Sequence, residues 1–430
     1  MLHPSQLTQT LYSTRSFQTD RRSLNEEDKL GMECGLIKMR YLAAVSAMVV
    51  AGAAHAQSSV TLFGIVDTGL VYQSNARVTG SPTQGSSFYS MQSGNLSTSR
   101  FGVRGSEDLG GGLSAVFWLE NGFATNTGAA KNGGDLFGRQ AWVGLRSSEY
   151  GTVTLGRQYD FMVDYVAPMS ATGSGFGGNL ADHPYDNDNL DNDMRLNNSI
   201  KFSSVSVNGF KAGAMYAFSD DAGAFNMDSA FSMGASYSYG AFNAAAAYIQ
   251  VNRTANAANL VGAVSNGDGD ALTTGGDQQI FGAGVQYKFG QSSIGAIWTH
   301  SVTYNVTGLW QGGSTATGAL SGSYMKFDNF ELNGRYFVHP NFALGASYTY
   351  TTGGFGGATG TSTDASPHWN QVMAQADYLF SPRTDVYLEG VYQRVSGGNG
   401  NSAFDASVYS LDPSANNQQV VVSVGMRHRF

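Results

Sequence analysis

The chain ends on "VVVSVGMRHRF", residues 420 to 430, and the alternation in it runs to the final residue. Val420, Val422, Val424, Met426, His428 and Phe430 share one parity, with Ser423, Gly425, Arg427 and Arg429 between them. Successive side chains of a β-strand point to opposite faces, so the segment carries an apolar stripe on one side and small or charged groups on the other. Termini usually fray unless something ties them down. A terminal Phe on the apolar stripe therefore predicts a strand paired to its last residue, with lipid on one face and water on the other.

Composition points the same way. Charged residues make up 13% of the 430, against roughly 25% in soluble domains. Gly (56) and aromatics (12%) run high, and Pro (8) is scarce. Such a chain lacks the charge that keeps a soluble surface wet. Past residue 56 it also has no run near the roughly 18 apolar residues of a membrane helix. In hydrocarbon every backbone polar group must be paired within the protein, which leaves the closed β-barrel as the spanning alternative.

Near the N-terminus, Lys38 and Arg40 precede "YLAAVSAMVVAGAA" and the small-x-small triplet Ala54-His55-Ala56. A basic start, a short apolar run and a small-residue cut site make a secretory signal peptide, expected over 32 to 56, with the mature chain beginning at Gln57. Residues 1 to 31 are polar and precede a signal that should be terminal, so they read as an over-extended start, with Met32 or Met39 as alternatives. Cleavage leaves 18 basic and 27 acidic residues, net −9, and removes Cys34, the one cysteine. The exported chain, 57 to 430, then has no disulfide framework and no thiolate site. Its acidic balance, without a basic block, argues against nucleic acid as a partner.

Sixteen alternating segments follow Gln57. The first, "VTLFGIVDTGLVY" (60 to 72), sets Leu62, Val66 and Leu70 against Thr61 and Asp67. The second, "STSRFGVRGSE" (97 to 107), sets Phe101 and Val103 against Arg100 and Arg104. Short turns such as "VNGF" alternate with longer polar loops, and Asn-Gly accepts positive φ at low cost. Sixteen strands in 374 residues is about 23 residues per strand and connection, as an all-β, antiparallel transmembrane barrel requires. An even count returns both ends to one rim, where the first and last strands can pair. Tyr, Phe and Trp near strand ends suit the two bilayer interfaces.

"QSSVTLFGIVDTGL", "SRFGVRGSEDLGGGLSAVF", "FGRQAWVGL", "GTVTLGRQYD", "RLNNSIKF" and "GMRHRF" together resemble one family, the general-diffusion porins of the Gram-negative outer membrane. The resemblance spans the exported chain and is weakest in the long loops. It implies a sixteen-stranded barrel, a homotrimer set among outer-membrane lipid and lipopolysaccharide, and a third loop folded into the lumen. It also implies that the barrel assembly machinery reads a C-terminal aromatic strand, making Phe430 the assembly signal. By matching motifs, Arg100, Arg104, Arg139 and Arg195 take the places of the family's eyelet arginines. Parity supports three of these independently, while Ala141 and Val143 share the parity of Arg139.

The segment long enough to fold inside is "FMVDYVAPMSATGSGFGGNLADHPYDNDNLDND", 161 to 193. Long irregular stretches within a compact domain tend to be functional loops. Its centre resembles the small-residue turn of the family's third loop, so Phe176 is placed at the constriction with Tyr159 and Tyr165. Gly173, Gly175 and Gly178 match G-x-G-x-x-G by spacing, but no βαβ unit surrounds them. The resemblance also implies acidic side chains opposite the arginines, yet Tyr165 to Ala181 contains no Asp or Glu. A less opposed cationic cluster, and hence a weak preference for anions, is the expectation. The acidic stretch 182 to 193, if it lies at the mouth, works against that preference.

"DNDNLDND" offers hard oxygen ligands, but the EF-hand spacing fails because Leu190 stands fifth from Asp186 and no Gly follows. A solvated acidic loop without metal is expected, with a divalent-cation site on this loop as the alternative, and no cofactor. H-E-x-x-H and G-x-S-x-G do not occur, so catalysis has no motif behind it. The expected function is passive diffusion of small hydrophilic solutes and ions. A substrate-selective channel for carboxylates or phosphate is the alternative of the same architecture, and an outer-membrane enzyme or adhesin that of another class.

Overall fold

The structure is a computed structural model that describes residues 59–430 apart from 82, 224, 254–261, 265–272, 311–319 and 410. The expected leader, 1 to 56, and the start at Gln57 lie outside the described residues.

The alternating segments form one antiparallel sheet. Its strands are β1 (Ser59–Arg77), β2 (two segments, Gly85–Ser93 and Arg100–Gly110), β3 (Leu113–Gly122), β4 (Gln140–Ser147), β5 (Gly151–Gln158), β6 (Leu196–Ser204), β7 (Phe210–Ala217) and β8 (Ser229–Tyr239). The second half comprises β9 (Phe242–Asn252), β10 (Gln278–Phe289), β11 (Ser292–Val306), β12 (Gly322–His339), β13 (Phe342–Gly356), β14 (His368–Ser381), β15 (Thr384–Ser396) and β16 (Gln418–Arg429). Both segments of β2 lie along β1, one pairing Thr68 with Ser93 onward and the other Ile65 with Arg100 onward. Seventeen strand segments thus make sixteen staves. Among the described residues no helix is long and apolar enough to cross a membrane.

The last strand pairs with both β15 and β1, which closes the barrel. Phe430 and Gly64 exchange two backbone hydrogen bonds of 3.0 Å, so pairing does run to the final residue. A side chain at Gly64 would come within 2.3 Å of the Phe430 ring, so the terminal aromatic needs a glycine beneath it. An open edge in hydrocarbon would leave such groups unsatisfied at several kcal/mol each.

The two faces are inverted relative to a soluble protein. Leu62, Leu70, Leu145, Leu155, Leu332, Leu388 and Val424 are exposed on the outer wall. Asp67, Glu120, Lys201, Thr299, Asn329, Glu331, Gln393 and Arg427 are buried on the inner one. Tyr239, Tyr287, Tyr336 and Phe380 stand exposed near the rim of short turns, where an aromatic girdle belongs.

The third long connection, between β5 and β6, lies within the lumen as expected. Phe161, Met162, Val166 and Met169 pack with Ala245, Ile249, Ile280 and Ile297 of the wall. Ala171, Phe176, Leu180 and Ala181 pack with Met373, Val391 and Val421 across the barrel. The eighth long connection also turns inward, an arrangement that alternation does not announce. Val408 and Leu411 join the second of these clusters, and Tyr185 of the third loop donates to the Ala403 carbonyl at 3.0 Å.

Candidate functional site

The break in β2 makes the seat on which the third loop rests. Between its segments the chain leaves the ladder, and Asp67 of β1 takes over by accepting from Leu96 N at 3.1 Å and Ser97 N at 2.7 Å. Asn179 N then donates to Asn95 O at 3.0 Å, and Gly178, at φ +53°, lies so close to Leu96 that a side chain would clash with its backbone. Arg427 of the closing strand donates to Ser97 Oγ at 2.7 Å and to the Gly175 carbonyl at 3.1 Å.

The returning half of the loop is rich in Asp and Asn for a local reason. Asp186, Asn189 and Asn192 have φ of 41°, 61° and 64°, the left-handed region these residues tolerate best. Asp186 accepts from Asp191 N at 3.0 Å and Asp193 N at 3.1 Å, and Asn189 Oδ1 accepts from Met194 N at 2.8 Å. These turns hold residues 186 to 194 in a compact coil against the wall.

At the end of that coil the arginines meet. Arg139 Nε donates to Glu120 Oε1 at 2.6 Å, and its Nη2 donates to Asn192 Oδ1 at 2.9 Å. Arg195 reaches the same Asn192 oxygen at 3.4 Å and the Asp193 carbonyl at 2.6 Å. The Tyr159 ring lies between, 5.9 Å from the Arg139 guanidinium and 5.7 Å from that of Arg195. Arg100 stands 3.7 Å from Glu120 Oε1, within the field of Arg139, Arg195 and Tyr159. Arg100, Arg139, Arg195 and Tyr159 are thus brought together, and an arginine pair over one tyrosine suits transient contact with anions.

Three expected members stand elsewhere. Arg104 shares the inner face but lies four residues nearer the short-turn rim, about 13 Å along the strand. Its guanidinium there stacks over Trp118 at 5.1 Å and Phe63 at 5.4 Å. Tyr165 packs on Phe161, 5.0 Å between centroids, against Gly234 of β8. Phe176 is buried against Gly345, where a side chain would lie 2.7 Å from its ring. It anchors the loop to the wall and does not line a passage. Arg139, whose parity looked wrong, precedes β4, so strand alternation does not govern its direction.

Two electrostatic expectations are corrected. The arginine cluster is opposed, by Glu120 from "LSAVFWLENGF" and by Asp191 and Asp193 of the loop. The stretch 182 to 193 does not sit solvated at a mouth; it is packed inside the barrel, with Asp182, Asp186 and Asp188 all buried. The reason is polar pairing with the inner wall: Asp188 Oδ2 accepts from His183, Thr299 and Asn329. Burial, together with Asp193, raises the Asp191 carboxyl to about 8 against the pull of Thr172, Arg139 and Arg195. Burial also raises Asp193 to about 6, although Arg195, Lys131 and Arg139 favour its charge. Lys131, a cation no motif pointed to, is pushed down by burial and by Arg139, while Asp193 and Asp191 oppose the shift.

His183 locks the loop to the far wall. Its Nδ1 lies 2.6 Å from Asp188 Oδ2 and its Nε2 lies 2.9 Å from Glu331 Oε2. Burial disfavours its cation, but the two flanking carboxylates win and raise it to about 10.

Known proteins resemble this chain. A family model described as Gram-negative porin matches residues 43–398. An outer membrane porin protein of Bordetella pertussis is 31% identical over 428 residues, covering 92% of this chain and 100% of that protein. Outer membrane porin protein 32 of Delftia acidovorans is 39% identical over 190 residues, 42% of this chain and 49% of its own. Among solved structures, an anion-selective porin from Comamonas acidovorans has a TM-score of 0.64 at 25% identity, with 87% of this chain and 100% of that chain covered.

Proposed function

This chain belongs to the Gram-negative porin family, and from that premise we propose that its channel is a homotrimeric diffusion pore with a weak preference for anions. It is an outer-membrane porin, and small hydrophilic solutes and ions pass it down their gradients. The reading is of a channel and not of an enzyme: the constriction supplies a field and a sieve, and no covalent step is assigned to it.

One observation carries the sign of the preference. Arg100, Arg139 and Arg195, with Lys131 nearby, face Glu120, Asp193 and Asp191, and of these acids Asp191, raised to about 8 against about 6 for Asp193, is largely protonated near neutral pH. Near neutral pH the balance at Tyr159 is cationic. Fixed charge in a low-dielectric wall concentrates counter-ions. The anion-selective porin from Comamonas acidovorans supports the same sign. Export through a signal peptide ending at Ala56, assembly by the barrel machinery through Phe430, and contact with lipopolysaccharide belong to this reading.

The test is single-channel conductance in a planar bilayer with a reversal potential under a salt gradient. Conductance in triplet steps with a reversal potential on the anion side is expected. A cation-side potential would overturn the charge balance assigned to the constriction, and absence of conductance from folded protein would overturn the pore. Block of the current by micromolar carboxylate or phosphate would replace diffusion by a substrate-selective site. N-terminal sequencing of the exported protein should begin at Gln57.

A further inference from the structure

Deep in the returning coil of the third loop, apart from the arginine pair, three carboxylates converge. Oxygens of Asp182, Asp186 and Asp188 lie within 4.8 Å of one another, and all three side chains are buried. An acidic cluster alone is no site, because protons or hydrogen bonds can satisfy it. Here Asp182 breaks that pattern: it is 1% exposed, and neither of its carboxylate oxygens has a hydrogen-bond partner. Asp188 Oδ1 has none either. The other oxygens are held in place, those of Asp186 by the backbone of Asp191 and Asp193 and Asp188 Oδ2 by His183.

We propose that Asp182, Asp186 and Asp188 bind one hard divalent cation, Ca2+ in preference to Mg2+, inside the loop that narrows the channel. Ca2+ takes carboxylate oxygens at about 2.3–2.6 Å in irregular geometry, so a set spanning under 5 Å can share one ion. Mg2+ keeps its waters and demands an octahedron, which suits a buried coil poorly. His183 compensates Asp188 but is itself shared with Glu331, so Asp182 and Asp186 have no cation of their own among the described ion pairs. The failed EF-hand spacing is consistent with this, because the ligands are gathered by the coil's left-handed turns and not by a helix-loop-helix.

The experiment is calorimetric titration of CaCl2 into EDTA-treated, detergent-refolded wild-type protein free of lipopolysaccharide, with Asp182→Asn alongside. Asp182 makes no side-chain hydrogen bond to lose, so the variant should still migrate as folded, heat-modifiable protein. One saturable Ca2+ per chain is expected, weakened on the order of tenfold or more by the loss of one ligand charge. Binding in wild type that Asp182→Asn leaves unchanged would overturn the proposal. So would wild type that folds and conducts but shows no saturable binding, an outcome that leaves the porin reading standing. If Asp182→Asn does not fold, Asp182→Ser takes its place under the same criterion.

Discussion

At the residue scale, Glu120 and Asn192 matter as much as the arginines they hold. Glu120→Gln removes the carboxylate that faces Arg139 at 2.6 Å and Arg100 at 3.7 Å. The reversal potential should move further toward anions, and Arg195→Gln should move it toward cations, each by a several-fold change in permeability ratio. Both effects should fade in molar salt, where the screening length falls to about 3 Å. His183 gives a pH signature. Its folded value of about 10 lies above the ordinary 6.5, so the stability it contributes is complete below about 6.5 and lost as pH rises toward 10. Its partner Asp188 is lowered, against burial, by His183, so that contribution is present above the usual carboxylate range and lost as pH falls through the depressed value. The temperature of the folded-to-unfolded gel shift should therefore drop further between pH 6.5 and 10 in wild type than in His183→Gln, where the buried Asp191 carboxyl, raised to about 8, still contributes a drop. An equal drop in both would remove His183 from that role.

At the element scale, the closing strand and the break in β2 can be tested separately. Phe430→Ser or Gly64→Val should lower assembled trimer without blocking passage across the inner membrane, because the ring of one occupies the space above the other. Unchanged heat-modifiable trimer would count against the seam. Gly178→Ala should cost roughly 1–2 kcal/mol from its left-handed backbone alone, and more from the contact with Leu96. The barrel should survive, with a noisier or larger conductance as the loop detaches. The staves themselves were legible because a period of two is a local property that each segment repeats. Position along the stave was not: alternation tells which face Arg104 is on but not that Trp118 and Phe63 hold it near the rim. The segment Gly85–Ser93 escaped notice because its Ser-rich run has little apolar contrast to alternate.

At the scale of the whole molecule, the sixteen-fold count, the antiparallel order and the inward third loop could be read before any coordinates, while the balance of charge in the lumen could not. Glu120 and Asn192 are 72 residues apart, and it takes the pairing of β3 with β4 and the inward fold of the third loop to bring both to Arg139. The inward eighth loop is hidden for the same reason: Tyr185 to Ala403 is a contact between distant parts of one ring. The seat of the third loop has a consequence for the order of assembly. Its carbonyl at Gly175 is gripped from β16, its amide at Asn179 from the break in β2, and that break is shaped by Asp67 of β1. The grip from β16 is not in place until the two ends of the chain have met. The narrow part is therefore the last thing to be finished, and closure of the ring acts as a checkpoint: a barrel caught half-zipped would be a wide hole, not a blocked one.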